Sequence, residues 1–391
     1  MTTVTTALLT CALAQPQIPG PDPLGFPLPP WILQALAWLT LTLHFLAMNF
    51  TVGGLILFLW ARWRKIPDHE GITRFLGSSF PLGVSYIITL GIPPLLFVQV
   101  LYGQLFYASS VIVGTFWIQV IPVMLAAYAI FYYHKFMRDA RPRGQTALVV
   151  TGAVLLLYVG FIYVNNLTLS MSPEKFAGLY ADHPGGGVLL HGEPTIVPRF
   201  LLFLSGSFAV TGLALMWRGH VMRRWGLAEA ADISERTGLR TVLLSPAVWL
   251  VAALGLLATR GNEIKALWQE VGATPVLFAV GLIGLIGLVL FAYRARGAAG
   301  PGALISASLG ITLAIASQVI FRDLTRIWAL EGTFDLAAIP VNLQWGMFAI
   351  FVVTLAAGAV FLVVWGIRVV PAIAEKARER LTAIPDRLEE I

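Results

Sequence analysis

Residues 31–60 read WILQALAWLTLTLHFLAMNFTVGGLILFLW, with no formal charge and a single titratable side chain, His44. A helix needs roughly 20 apolar residues to cross about 30 Å of hydrocarbon, since no water in the bilayer interior satisfies an open backbone hydrogen bond. This stretch meets that demand with residues to spare, and Trp31 suits an interface anchor. Stretches of the same character recur at about 79–101, 108–134, 146–169, 198–217, 241–259, 274–293, 301–321 and 343–367. The pattern predicts an all-α, polytopic membrane helical bundle of about nine transmembrane helices.

The loops between the spans set the orientation. With the N-terminus outside, only Lys175, Arg199, Arg260, Lys265, Arg322 and Arg326 of the 26 Lys and Arg residues fall on the outer side. Retention of basic loops on the cytoplasmic side predicts an N-terminus outside, a cytoplasmic C-terminus and a multi-pass protein of the inner (plasma) membrane. The net charge of +6 then reports topology and contact with anionic lipid. No basic stripe interleaved with aromatics points to nucleic acid as a partner.

The expected organisation is an outer N-terminal segment over 1–30, a single transmembrane domain over 31–369 and a cytoplasmic amphipathic tail over 370–391. Residues 7–14 end in a cleavage-like Ala12-x-Ala14 pattern without a basic stretch before it, a weak signal sequence at best. The lone cysteine, Cys11, excludes a disulfide within the chain and any cysteine-based metal site.

Hydropathy places every Asp and Glu in a loop or tail, which argues against a deep carboxylate proton relay and against an ion-coupled transporter. No inverted repeat supports a transporter either. Of the six histidines, His69, His134 and His220 fall at inner boundaries, and His183 and His191 in the longest outer loop. Only His44 is well inside a span. A neutral imidazole offers iron a lone pair without placing charge in lipid, whereas a packing histidine would bond a neighbouring Ser, Thr or backbone carbonyl. Gly53 and Gly54, about ten residues on, leave room for a flat macrocycle or for a close helix crossing.

Three stretches carry a family resemblance: His44-Phe45-Leu46-Ala47-Met48-Asn49-Phe50-Thr51-Val52-Gly53; Thr73-Arg74-Phe75-Leu76-Gly77-Ser78-Ser79-Phe80-Pro81-Leu82-Gly83-Val84; and Pro198-Arg199-Phe200-Leu201-Leu202 with Ala209-Val210-Thr211-Gly212. Together they resemble subunit I of the cytochrome bd quinol oxidases, in a shorter, divergent form. The resemblance implies that His44 binds a haem iron. Leu202 stands where that family has a second haem-ligating histidine, and leucine cannot ligate iron. Phe97 stands where the family has a carboxylate associated with proton delivery. The long quinol-binding loop shrinks to about Arg260–Ala273. What remains implies at most one haem b, with quinol as a possible substrate, and not oxygen reduction.

Arg322 and Arg326, four residues apart, are candidates to hold haem propionates or a quinone oxygen. The ordinary alternative is interface anchoring or pairing with Asp323, Glu331 and Asp335. The outer loop from Ser170 to Pro198 is long for a structureless connection, as binding surfaces often are. His183, His191 and Glu193 mark it as a docking surface for a c-type cytochrome or other redox subunit, or a metal site of irregular spacing. The sequence thus leads to an electron-transfer subunit carrying one haem b between membrane quinol and an outer partner, possessing quinol-oxidising activity if it is an enzyme. A haem-free anchor of a redox complex is the alternative, and a transporter the third.

Overall fold

The computed structural model describes residues 24–140, 143–297 and 300–382. The signal-like stretch, Cys11 and the end of the tail lie outside the described residues. The chain divides into two compact units, one comprising Pro30–Ile339 and the other the described residues of Pro23–Pro29 with those from Pro340 onward.

In the first unit the helices are α1 (Pro30–Arg64), α2 (His69–Ile112), the single turn α3 (Gly114–Trp117), α4 (Val120–Met137), α5 (Gln145–Leu169), α6 (Phe176–Asp182), α7 (Ile196–Arg224), α8 (Ala228–Glu270), α9 (Ala273–Arg294) and α10 (Pro301–Ala329). The second unit holds α11 (Trp345–Thr382) and a clasp in which Phe26 pairs with Val341. In that clasp the Phe26 N–H donates to the Pro340 carbonyl at 2.8 Å and the Asn342 N–H to the Phe26 carbonyl at 2.8 Å. The protein is an all-α polytopic bundle. Among the described residues eight helices, counting Gly114–Met137 as one, are long and apolar enough to cross a membrane. The expected ninth span falls on α11, of which Trp345–Gly358 is a shorter apolar helix.

Two element boundaries differ from the sequence expectation. The second helix continues to Ile112, so the third crossing starts at Gly114 and not near residue 108. The presumed loop Arg260–Ala273 is largely helical: α8 breaks at Arg260 (φ −140°, ψ 32°) and then runs on to Glu270. That extension is held by Leu267, which is buried, and by Trp268 against Phe278 at 5.3 Å.

The helices pair as α1 with α2, α4 with α5, α7 with α8 and α9 with α10. Within the unit α1 and α7 are central: half of the most apolar window of each is buried, against 17–22% for α2, α4, α8 and α9. They cross where Gly53 faces the α7 backbone, a β-carbon on Gly53 lying only 2.1 Å from the Ser207 carbonyl oxygen. Gly54 faces Phe80 and Leu76 of α2 instead. The Gly pair therefore serves helix crossings, the close backbone approach that small residues permit in membranes. Beside it Asn49 accepts a hydrogen bond from Ser207 Oγ at 3.0 Å. Gly281 and Gly284 of α9 likewise face Ser317 and Gly310 of α10.

At the end of the unit where α1 turns into α2, Arg218 pairs with Asp68 at 2.9 Å. There Arg223 reaches Glu235 at 2.9 Å, and Glu235 also accepts from the Gly297 N–H at 2.9 Å. The opposite end carries the 170–198 segment, which contains a 3-10 turn (Pro173–Lys175) and α6. It is stitched to the bundle by the Leu190 N–H on Asn165 Oδ1 at 2.8 Å.

Candidate functional site

The site is assembled from α1, α2, α7 and α10 toward the end carrying the 170–198 segment. Asp323 of α10 is 9% exposed and accepts from Trp38 Nε1 of α1 at 2.8 Å and from the Tyr102 hydroxyl of α2 at 3.3 Å. Arg326, one turn along α10 and 5% exposed, approaches Asp323 at 3.5 Å, with its guanidinium 4.6 Å from the centre of the Tyr102 ring. Tyr102 sits where α2 departs from helical geometry (φ −131°, ψ 30°).

This overturns the placement of every carboxylate in a loop or tail. Asp323 and Glu235 are both helical and buried. Hydropathy windows stop at the first charged residue, whereas these carboxylates are neutralised by Arg326 and Arg223 through the fold. The argument against a transporter loses that support.

Arg322, on the same face as Arg326, has neither an ion pair nor a hydrogen bond among the described residues. It lies within Coulomb range of Arg326, Arg199 and Asp323. Among the described residues Arg199 of α7 has only a long hydrogen bond, to Thr168 Oγ1 at 3.4 Å. The Nε of Arg326 is buried without a partner. Pairing with Asp323 thus accounts for part of Arg326 and for none of Arg322.

His44 lies six residues along α1 from Trp38, or about 9 Å at 1.5 Å per residue. Its ring lies beside the Ile87 backbone of α2, while its Nδ1 is buried without a partner among the described residues. A β-carbon on Gly91 would sit 3.0 Å from that nitrogen and 2.9 Å from Cε1, so glycine makes the room the ring occupies. Phe45 stands 6.1 Å from the imidazole and 6.1 Å from Phe203 of α7. A second buried imidazole, His134 of α4, has its Nδ1 on Gln145 Oε1 at 2.8 Å and its Nε2 unpartnered, packed against Gly77.

The three residues of the outer loop do not converge. His183 and His191 are exposed, while Glu193 accepts from Thr195 Oγ1 at 2.8 Å and pairs with Arg260 at 3.0 Å and with Lys175 at 4.0 Å. Burial works to raise the Glu193 pKa, but the Thr195 and Arg260 hydrogen bonds and the Arg260 and Lys175 charges hold it below the ordinary carboxylate value. Among the described residues no group of three or more His, Cys, Asp or Glu is placed to hold a metal ion, and the metal reading of this loop is set aside. Glu193 closes the segment onto α8 instead.

The sequence reading did not single out Trp38, Tyr102, Asp323 or Arg199 as site residues. Trp and Tyr deep in apolar spans were a usable signal, because their polar tips need partners when buried. No protein-family model matches the chain, and no curated protein matches it.

Proposed function

We propose that this chain is an integral-membrane electron-transfer subunit, oriented with its N-terminus outside and its C-terminus in the cytoplasm of the plasma membrane. In this reading it holds one haem b and passes electrons between membrane quinol and an outer cytochrome c or partner subunit. The observation that carries the proposal is His44, whose Nδ1 is buried without a partner among the described residues and whose ring lies beside the Ile87 backbone. An imidazole with one nitrogen free is the donor a metal requires, its other nitrogen being oriented by a nearby carbonyl or carboxylate. In donor chemistry the residues fit the group the resemblance implies.

A bound haem would supply one-electron redox chemistry. His44 would hold the iron, and the Ile87 carbonyl would fix the ring orientation. Arg322 and Arg326 would bind carboxylates or a quinone oxygen through charge-assisted hydrogen bonds. The exposed side of the 170–198 segment, with His183 and His191, would offer the docking surface. Oxygen reduction forms no part of the proposal, since Leu202 offers iron nothing. A haem-free anchor is the second reading, favoured by the way the crossing with α7 accounts for Gly53.

Adding a short-chain quinol to the purified, oxidised chain tests the proposal. A b-type absorption band that appears on reduction is expected. A well-folded chain with no such band would favour the anchor.

A further inference from the structure

Arg199, Arg322 and Arg326 lie within Coulomb range of one another in the bundle, and among the described residues only Arg326 of the three touches a carboxylate, Asp323 at 3.5 Å. Widening the circle does not restore neutrality. Arg260 and Lys175 join with Glu193 and Glu263, giving five cations against three carboxylates. Buried cations are expensive without counter-charge, and like charges held together compound the expense. Asp323 is moreover shared with Trp38 and Tyr102, leaving Arg322 without a partner and the enclosed Arg326 Nε without an acceptor.

We infer that Arg199, Arg322 and Arg326 form a receptor for a ligand bearing two negative charges, and that its occupant is the pair of carboxylates on the edge of a haem. The identity of the occupant rests on the haem reading above; the demand for two negative charges does not. His44 lies about 9 Å along α1 from Trp38, and both it and the cluster border α2, His44 at Gly91 and Arg326 at Tyr102, so the ligand would run along α2 between them. Three guanidinium groups from two helices suit paired carboxylates, each able to accept two N–H bonds from one Arg. Arg199 thereby enters as a third binding residue. The phosphate of an anionic lipid presents the same chemistry from another source.

The test titrates the purified full-length chain with haem b, with haem b dimethyl ester, which lacks both charges, and with phosphatidic acid in mixed micelles. Arg322→Gln and Asp323→Asn are compared alongside. Haem b should bind at least about tenfold more tightly than its ester, the scale of a charged hydrogen bond. That preference should shrink in Arg322→Gln and grow in Asp323→Asn, which removes the competing internal charge. Equal binding of haem and ester, unchanged by either variant, would overturn the receptor and leave the His44 reading standing. Failure of haem to bind, together with phosphatidic acid binding that weakens in Arg322→Gln, would retain the receptor, assign it to lipid phosphate and overturn the haem reading. No charge preference for any ligand would overturn the receptor outright.

Discussion

Asp323→Ala is expected to destabilise the folded chain by about 3–5 kcal/mol, the cost of removing one partner from a buried charge pair. The carboxylate is the common acceptor for Trp38 Nε1 at 2.8 Å and the Tyr102 hydroxyl at 3.3 Å, and it is the ion-pair partner of Arg326. Truncation strands two donors and leaves the buried Arg326 without its ion-pair partner. Asp323→Asn preserves an acceptor for Trp38 and should cost less than half as much. Thermal unfolding in detergent, followed by retention on gel filtration, reads the difference. A Tm for Asp323→Ala equal to that of wild type would show that the cluster contributes nothing to the fold.

Adjacent glycines give the second large contrast. In Gly53→Ala the new methyl would stand 2.1 Å from the Ser207 carbonyl oxygen and 2.4 Å from Thr211 Oγ1. Backbone cannot yield as a flexible side chain can, so α1 and α7 must separate, at roughly 3 kcal/mol for overpacking at a central crossing. In Gly54→Ala the nearest atoms are Phe80 Cε1 at 3.4 Å and Leu76 Cδ2 at 3.6 Å, ordinary contacts, and the change should stay within about 0.5 kcal/mol. Equal unfolding temperatures for the two variants would contradict the crossing.

The helices were legible because a bilayer imposes a length and a polarity that any apolar run of some 20 residues displays. Their ends were less so. The run from Tyr102 to Ile112 sets Gln104, Ser109 and Ser110 among its apolar residues, and nothing local says that α2 continues through it. Gly261 and the polar residues after Arg260 read as a loop, but Leu267 and Trp268 find apolar partners that turn the segment into helix. His44 was legible because an imidazole amid apolar residues is conspicuous. Its two neighbours, the Ile87 carbonyl and Gly91, lie more than forty positions away and leave no mark near it. Arg322 and Arg326 were visible by their spacing, whereas Arg199 and Asp323 were not, because they join the cluster through contacts among four helices. Glu193 looked like a surface ligand from its loop, and only the fold shows it closed onto Arg260.

The most direct measurement is the reduced-minus-oxidised absorption spectrum of the purified chain beside His44→Ala and His134→Ala, each shown to be folded. The proposal predicts about one haem b per chain in the wild type, its loss in His44→Ala and its retention in His134→Ala, since His134 packs at Gly77 and Phe58, away from the arginine cluster. A b-type band that survives His44→Ala, or that is missing from folded wild-type protein, would contradict the proposal.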